Sequence, residues 1–342
     1  MKFLFNVHGY KPAYNVGGPI HSVSALAEGL VARGHSVFVA TSNRNLTEVL
    51  DVDPSRVYDR DGVEVRYFAA YPTLLQRTGI PYFAKSAAFR FDSSFTRWLL
   101  QRGADFDVFH TQIAFLPSSR LFSKAAKSLG KVYFYHQRGA FNPVALQYRA
   151  LKKRLYLQAV EKPVMRRADL LIALTEHEAG FYKLLGLNGR TEVLPNGVAG
   201  DFFPNGPLRP GAPVRELLQA AAEQDVFLFL SRLHPSKGPE LFVEAFLRYA
   251  QDHPRAFGIV AGPDEFGLAE RLKSKVAAAG LAQRLRFVGA VAGDDKMALF
   301  ARADAFVLPT ASEGFSIVLL EALMCGCAVV TTPGAHFGGL QP

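Results

Sequence analysis

The feature that most constrains the fold is an alternation, along the whole chain, of short apolar runs with segments of helical periodicity. Such an alternation favours parallel β-sheets whose strands are joined by helices packed on both faces. The chain has 342 residues, which is enough for two α/β domains with a core each. The predicted strands are residues 2–7, 36–41, 63–67, 108–110, 131–135, 170–174 and 192–195 in the first half, and 226–231, 256–261, 285–288, 305–308 and 328–332 in the second.

A proline-rich segment separates the two series of strands. Residues 201–213 contain four prolines and two glycines, a composition typical of a linker. We therefore predict an N-terminal domain of residues 1–203 and a C-terminal domain of residues 204–342.

The chain carries a formal net charge of +9, which indicates a negatively charged partner or surface. Between residues 149 and 167, cations alternate with apolar residues in the manner of an amphipathic helix. Two interpretations stay open: a solvated face on a core-packed helix, or a surface for an anionic membrane or a lipid-linked acceptor. No nucleic-acid-binding motif accompanies the charge, so nucleic acid is not an expected partner. The cations are Arg149, Lys152, Lys153, Arg154, Lys162, Arg166 and Arg167.

The apolar runs are too short to span a membrane, and the first residues resemble a strand more than a signal peptide. We therefore expect a cytoplasmic protein, peripheral at the inner face of the membrane if the basic segment binds there.

Cys325 and Cys327 are interpreted as buried thiols, because a metal or redox site needs more ligands or another spacing.

Two glutamates near the C-terminal end form the strongest functional pattern. Glu313 lies in a loop after the strand at 305–308, and Glu321 lies about one turn inside a predicted helix, residues 317–324, with Ser316 as its N-cap. A helix N-terminus suits a phosphate, and carboxylates on either side accept hydrogen bonds from hydroxyls. The pattern is therefore typical of a nucleotide-sugar site. The simpler alternative is a loop acid followed by a solvated helical acid.

These residues resemble the Glu-x7-Glu signature of the retaining glycosyltransferases of the GT-B fold, family 4 (group 1) type. The resemblance implies an α/β GT-B architecture, in which two Rossmann-like domains have parallel sheets facing a central cleft. It also implies that Glu313 is catalytic and holds the donor sugar, while Glu321 binds the ribose of the nucleotide. The residues that assist them in the family pattern are Gly314, Phe315 and Ser316. Members of the family usually carry a further helical segment after the strand matching 328–332, so the C-terminal end is expected to be short.

A loop after the strand at 226–231 contains two cations, Arg232 and Lys237. By the same resemblance they bind the donor diphosphate, together with Gly18. Fixed cations stabilise the charge that grows on a leaving diphosphate without reorganising. Because they supply that charge, we expect no metal and no cofactor beyond the nucleotide-sugar co-substrate. The Asp-x-Asp strings at 51–53, 59–61 and 105–107 lie in polar loops or before strands, where a metal role is not expected.

Gly17 and Gly18 precede an apolar stripe of helical period. Paired glycines let a backbone approach a ligand closely, and the resemblance places this loop near the donor phosphates or the acceptor. A plain strand-to-helix turn is the alternative. The loop lacks the Gly-x-Gly-x-x-Gly pattern of dinucleotide-dependent oxidoreductases. His110, at the end of another strand, is a further candidate on the acceptor side.

Residues 131–141 form a strand that leads to a polar loop with His136 and Arg138. The loop resembles the family's Ser-Pro-Arg-Gly or Pro-His-Gly loop. The resemblance implies that Arg138 matches the catalytic-site His or Arg, with His136 beside it. A satisfied loop histidine is the competing interpretation. Residues 195–197, Pro-Asn-Gly, are interpreted as a structural turn in which Asn-Gly adopts left-handed backbone.

The resemblance as a whole implies retaining transfer of a hexosyl group from an NDP-sugar to a hydroxyl of a glycan or lipid-linked acceptor, in cell-surface polysaccharide or lipopolysaccharide biosynthesis. No carboxylate is an obvious covalent nucleophile, which favours front-face displacement. Two other hypotheses stay open: a donor-binding but inactive subunit or fragment, and an NDP-sugar epimerase of the same fold.

Overall fold

A computed structural model describes residues 1–14, 18–45, 48–71, 90–141, 154–187, 189–198, 203, 206–264 and 266–336. The chain divides into two compact units, Met1–Gly197 (unit 1) and Val198–Pro342 (unit 2). The division falls just before the predicted linker at 201–213. A helix, Ala212–Ala220, begins inside that segment because Pro213 suits the first turn of a helix.

Unit 1 is built on one large sheet with helices on both sides. Its strands are β1 (Lys2–Asn6), β2 (Ser36–Ser42), β3 (Arg44–Asn45), β4 (Glu48–Val49), β5 (Tyr58–Arg60), β6 (Val63–Phe68), β7 (Ala70–Tyr71), β8 (Arg90–Phe91), β9 (Val108–Thr111), β10 (Val132–His136), β11 (Leu170–Ala173) and β12 (Thr191–Val193). Among the described residues its α-helices are α1 (Gly18–Ala32), α2 (Ser93–Arg102), α3 (Ser119–Ser128), α4 (Lys162–Met165) and α5 (Glu176–Leu184).

The strands of the large sheet run in the order β12-β11-β10-β9-β1-β2-β6-β5. All neighbours are parallel except β5, which pairs antiparallel with β6. Strands β1 and β9 lie side by side although they are far apart in sequence, so the strand order reverses between them. In open α/β sheets ligands bind at such a reversal, beyond the carboxyl ends of the strands.

Alternate residues of the central strands fill two hydrophobic cores, one on each face of the sheet. In β1, Phe3 and Phe5 pack in a core with Val23 and Ala27 of α1, whereas Leu4 packs in a core with Phe109 and Phe122 on the other face. This pattern is typical of parallel strands buried on both sides. Each predicted strand of the first half overlaps an observed strand, and the short β3, β4, β5, β7 and β8 were not predicted.

Unit 2 contains a smaller, fully parallel sheet. Its strands are β13 (Asp225–Leu230), β14 (Ala256–Ala261), β15 (Leu285–Gly289), β16 (Ala305–Leu308) and β17 (Ala328–Thr331), and its described α-helices are α6 (Ala212–Ala220), α7 (Pro239–Asp252), α8 (Leu268–Ala278), α9 (Gly293–Arg302) and α10 (Ile317–Met324). The strand order is β15-β14-β13-β16-β17, which reverses between β13 and β16. All five strands match the predicted ones.

The basic segment is described only from residue 154 onward, so Arg149, Lys152 and Lys153 lie outside the described residues. The described part is helical, but it includes a π-helical turn, Leu157–Glu161, rather than α-helix throughout. No described helix has both the length and the apolar character that crossing a membrane requires.

The thiol of Cys327 is buried as predicted, whereas Cys325 is partly exposed, so the prediction that both are buried is wrong for Cys325.

Candidate functional site

In unit 2, the loops that follow β13 and β16 bring two predicted site residues together. Lys237 Nζ donates a hydrogen bond to Glu313 Oε1 at 2.5 Å. Both side chains are mostly buried, with 16% of the lysine and 12% of the glutamate exposed. The two residues are 76 positions apart in sequence. They meet because β13 and β16 are parallel neighbours whose carboxyl ends lie at one edge of the sheet.

Hydrogen bonds between the same loops make this contact a fixed part of unit 2. The Ser236 carbonyl oxygen accepts from Ala311 N at 2.8 Å and from Thr310 Oγ1 at 2.9 Å. Gly238 follows with φ of 72°, and a Cβ there would lie 2.1 Å from the Pro309 carbonyl oxygen. Only glycine suits both the left-handed backbone and that close approach. The loop after β13 is therefore held against the loop after β16 by its own backbone.

The second signature acid, Glu321, contacts a cation that the sequence did not identify. Lys296 Nζ, on α9, donates to Glu321 Oε1, on α10, at 2.6 Å. Glu321 is 9% exposed. Lys296 follows two aspartates in an otherwise ordinary helix start, so nothing in the local sequence marked it as a site residue.

The helix that carries Glu321 spans Ile317–Met324, as predicted. Ser316 occupies the N-cap position, but its side chain makes no capping hydrogen bond, so the predicted capping role is wrong. Gly314 and Phe315 lie in the loop between Glu313 and this helix, and Glu313 N donates to the Gly334 carbonyl oxygen at 2.8 Å. Arg232, the other predicted phosphate ligand, is an exposed residue of the loop after β13.

In unit 1, the predicted site residue Arg138 is held by side chains from three separate elements. Its Nε and Nη2 donate to Gln112 Oε1 at 3.1 and 2.7 Å. Its Nη1 donates to Ser22 Oγ and to Asn196 Oδ1, both at 2.9 Å. Burial lowers the pKa of Arg138 to about 9, and the negative charge of Glu178 partly opposes that shift. The guanidinium is thus fixed in place by neutral oxygens.

The backbone around Arg138 is also held in an uncommon conformation. Arg138 has φ of 50° and Gly139 has φ of 76°, two successive left-handed residues. Glu178 accepts hydrogen bonds from Gly139 N and from Leu174 N, the latter at 2.8 Å. Burial raises the pKa of Glu178 to about 7, although these hydrogen bonds and Arg138 oppose the shift. Glu178 therefore positions the loop that carries Arg138.

His110 and His136 lie beside Arg138, near the carboxyl ends of β9 and β10. Their rings stack with centroids 6.2 Å apart, and both residues are almost fully buried. Gln112 Nε2 lies 3.0 Å from His110 Nδ1. Burial, aided by the positive charge of Arg138, lowers the pKa of His110 to about 3 and that of His136 well below its usual value. Both imidazoles are therefore neutral. We call the six connected side chains the Arg138 cluster: Ser22, His110, Gln112, His136, Arg138 and Asn196.

The structure thus gathers three predicted residues of unit 1, namely His110, His136 and Arg138. Gly18 is the first residue of α1, four positions before Ser22, while Gly17 lies outside the described residues. The interpretation of residues 195–197 is wrong, since neither Asn196 nor Gly197 has positive φ. The Asn196 side chain instead accepts a hydrogen bond from Arg138.

Sequence reasoning missed Ser22, Gln112, Asn196 and Glu178 in unit 1. One signal for Gln112 was available: it directly follows β9, and the carboxyl ends of parallel strands are where polar site residues gather. Glu178 carried no such signal. It lies inside α5, where an acid normally faces solvent, and only its burial against the Arg138 loop distinguishes it.

Two protein-family models match the chain. The model described as Glycosyl transferase 4-like domain matches residues 17–197, which is more than half of the chain. The model described as Glycosyl transferases group 1 matches residues 214–338.

Curated relatives and solved structures agree with these matches. D-inositol 3-phosphate glycosyltransferase of Geodermatophilus obscurus is 34% identical over 192 residues, covering 53% of this chain and 41% of the relative. The chain thus spans less than half the length of that relative. HepE of Anabaena, solved with UDP, has a TM-score of 0.71 and 22% identity over 100% of this chain and 83% of its own. WaaG, described as a glycosyltransferase involved in lipopolysaccharide biosynthesis, has a TM-score of 0.61 and 21% identity over 98% and 82%.

Proposed function

The chain belongs to the group 1 glycosyl transferases of the GT-B fold, and from that membership we propose that it transfers a hexosyl group, with retention, from an NDP-sugar to a hydroxyl of a glycan or lipid-linked acceptor. The observation that carries the proposal is the meeting of Lys237 and Glu313 at the strand reversal of unit 2. A cation and a carboxylate in contact at such an edge suit a ligand that joins a diphosphate to a sugar.

In this proposal the donor binds in unit 2. Lys237 and Arg232 hold the diphosphate, Glu313 accepts hydrogen bonds from the sugar hydroxyls, and Glu321 accepts them from the ribose. A diphosphate that draws Lys237 to itself breaks the 2.5 Å ion pair and releases Glu313 for the sugar. Donor binding then also frees the Glu313 carboxylate to accept hydrogen bonds from the sugar.

The chemical step needs stabilisation of the charge that grows on the departing diphosphate. Once they hold the diphosphate, Lys237 and Arg232 stabilise this charge with their own positive charges, so the proposal requires no metal ion. We assign front-face displacement, in which the leaving phosphate oxygen takes the proton of the acceptor hydroxyl. Gly314, Phe315 and Ser316 assist at the donor sugar, and Gly17, Gly18, His110, His136 and Arg138 serve the acceptor side.

Known proteins support parts of this assignment. HepE has been solved with UDP-glucose, which supports a UDP-sugar as donor. The lipopolysaccharide role of WaaG supports a cell-surface glycan as product. Relatives named for D-inositol 3-phosphate support a small polyol acceptor as an alternative to a glycan.

A donor screen tests the proposal. Thermal denaturation with a panel of nucleotides and NDP-sugars should give the largest shift with one base, and isothermal titration should then give its Kd. Incubation with the preferred NDP-sugar and candidate acceptors should release NDP, and NMR of the product should show the anomeric configuration of the donor.

Other outcomes distinguish the alternatives. Binding without turnover by any acceptor would indicate a donor-binding but inactive protein. Conversion of the sugar with no acceptor present would indicate an epimerase. An inverted anomeric centre would contradict retention, and the absence of any nucleotide binding would overturn the proposal.

We also propose that the basic segment contacts an anionic membrane, at the cytoplasmic face. In its described part, Arg154, Leu155 and Arg166 are exposed, and Leu155 is 63% exposed, so cations and an apolar side chain are available to lipid. Co-sedimentation with phosphatidylglycerol vesicles should exceed that with phosphatidylcholine vesicles. Equal sedimentation with both would contradict the proposal.

A further inference from the structure

Arg138 is a cation without an acidic hydrogen-bond partner. Each of its four hydrogen bonds goes to a neutral oxygen, from Gln112, Ser22 or Asn196, and no carboxylate of the described residues pairs with it. Neutral oxygens orient a guanidinium but do not neutralise it, and a partly buried charge left uncompensated is unfavourable. The guanidinium of Arg138 therefore carries a positive charge that an anionic ligand can neutralise.

Glu178 is the acid whose charge acts on Arg138, and it does not serve as a full counter-ion. Its two carboxylate oxygens accept from the backbone amides of Gly139 and Leu174. Burial also raises its pKa to about 7, which weakens its negative charge at neutral pH. Glu178 therefore positions the loop, and the charge of Arg138 must be neutralised by another group.

Each neighbouring histidine is neutral, so its ring carries one N–H donor and one acceptor nitrogen. Because Arg138 can only donate, Gln112 must direct Oε1 toward it, which directs the Gln112 amide nitrogen toward His110 Nδ1. His110 therefore carries its proton on Nε2, and that nitrogen bonds to no described residue. His136 is 2% exposed, and neither of its ring nitrogens bonds to a described residue. The cluster thus offers N–H donors that lack an oxygen.

The place of the cluster in the fold is also that of a ligand site. His110 and Gln112 lie at the carboxyl end of β9, next to the point where the strand order of unit 1 reverses. His136 and Arg138 lie at the end of β10, and Ser22 lies in the first half of α1. Convergent donors at a strand reversal are the usual surroundings of a bound anionic group.

We propose that the Arg138 cluster is an oxyanion site that takes a phosphate or carboxylate group of the acceptor. The proposal rests on the proposed function, because there the donor diphosphate belongs to Arg232 and Lys237 of unit 2. A sugar hydroxyl alone would satisfy a donor but would leave the guanidinium charge unbalanced. The acceptor is therefore an acidic molecule, such as a sugar phosphate, a phospholipid-linked glycan or a uronic acid.

Inorganic phosphate is the probe, titrated by calorimetry into protein saturated with UDP. UDP occupies the cations of unit 2, so the heat that remains reports on unit 1. The wild type should bind phosphate, and Arg138→Gln should bind it about tenfold to hundredfold more weakly, since a charge-assisted hydrogen bond is lost. Arg33→Gln is the matched control, because Arg33 is an exposed arginine of unit 1 outside the cluster, and it should change nothing.

Several results would overturn the proposal. Saturating UDP that abolishes phosphate binding would place the anion at the donor site instead. Equal phosphate affinity of Arg138→Gln and the wild type would remove the cluster from anion binding. If the wild type binds no UDP, the proposed function fails separately, and the same titration on Lys237→Met without UDP still tests the oxyanion site.

A second variant guards against loss of the fold in Arg138→Gln. Gln112→Glu keeps the shape of the side chain and places a carboxylate against Arg138 at the present 2.7 Å contact. The internal carboxylate should balance the charge, so the melting temperature should not fall, while phosphate affinity should drop at least about tenfold. Phosphate affinity within twofold of the wild type would overturn the proposal.

Discussion

The two units hold their charged site residues in opposite ways. In unit 2, each signature acid contacts a lysine, Lys237 with Glu313 and Lys296 with Glu321. In unit 1, Arg138 is held by neutral oxygens. Glu161 of unit 1 is fully buried, and among the described residues it accepts hydrogen bonds only from the Phe115 amide and the Tyr135 hydroxyl.

The difference teaches how each site responds to a ligand. A paired site is balanced when empty, so its ligand must displace one partner and then make use of the other. An unpaired site has no internal counter-ion, and a ligand of opposite charge improves its charge balance. In the proposed function, unit 2 therefore binds a ligand that combines acidic and hydroxyl groups, whereas the proposed oxyanion site of unit 1 binds an anionic group.

Neutralising the acid of the first pair should have the largest effect. Glu313→Gln keeps the size of the side chain but loses the charge that, in the proposed function, holds the donor sugar. We expect kcat to fall by about hundredfold or more, as for removal of a preorganised stabilising group. UDP affinity should hold or improve, because Lys237 is released from its pair. Steady-state kinetics and calorimetry measure the two quantities.

Glu270→Gln is the matched control, because Glu270 is an exposed acid of unit 2 with 83% of its side chain exposed. Its kcat should equal that of the wild type. If Glu313→Gln keeps full turnover, Glu313 does not act on the donor sugar. If it loses UDP binding in step with turnover, Lys237 is not released for the diphosphate.

Neutralising a buried acid of unit 1 should stabilise the protein at high pH. Burial raises the pKa of Glu161 from 4.5 to about 7, so the folded state binds more protons than the unfolded state between these pH values. The stability from this group is complete below pH 4.5 and is lost as the pH rises through about 7. Glu161→Gln removes that loss, since its amide can donate to Tyr135 while its carbonyl accepts from Phe115.

The measurement is urea unfolding at pH 5 and at pH 8.5. The free energy of unfolding of Glu161→Gln, relative to the wild type, should rise by about 2 kcal/mol between the two pH values. For Glu270→Gln the same difference should stay flat. If the difference in unfolding free energy between Glu161→Gln and the wild type does not change with pH, the pKa of Glu161 is not raised by burial.

The second pair of unit 2 should give the smallest effect. Lys296→Met leaves Glu321 without the cation that orients it, so we expect UDP affinity to fall about tenfold, the value of one charge-assisted hydrogen bond. If Glu321 binds the ribose as proposed, discrimination between UDP and 2′-deoxy-UDP should shrink as well, because Glu321 is less well oriented. Calorimetry with both nucleotides gives the ratio of Kd values.

Lys275→Met is the control for a lysine in an exposed pair, because Lys275 and Glu244 are both 48% exposed. Exposed pairs contribute little, so both Kd values should stay within twofold of the wild type. An unchanged UDP to 2′-deoxy-UDP ratio in Lys296→Met would argue that Lys296 supports the fold of unit 2 and not the nucleotide.

Local patterns in the sequence predicted most of the elements that carry these sites. The helix at 317–324 and the five strands of unit 2 follow from apolar periodicity, which depends only on neighbouring residues. Ser316 shows where local reasoning stops. Its position was correct, yet its hydroxyl does not cap the helix, because side-chain hydrogen bonds depend on what else surrounds the residue.

Side-chain partners could not be predicted in the same way. Asn196 was interpreted as a turn residue, and it binds Arg138, 58 positions away. Lys296 was not singled out at all, because a lysine near the start of a helix is ordinary until Glu321 packs beside it.

The amino-acid sequence by itself determined the strands, the helices and the residue types at the strand ends, since these depend on short-range periodicity and backbone preference. Only the tertiary structure decided which strand ends meet. Placing β1 beside β9 and β13 beside β16 brings Arg138 to Ser22 over 116 positions and Lys237 to Glu313 over 76. That order of strands comes from the packing of whole sheets and helices, which no local stretch of the chain contains.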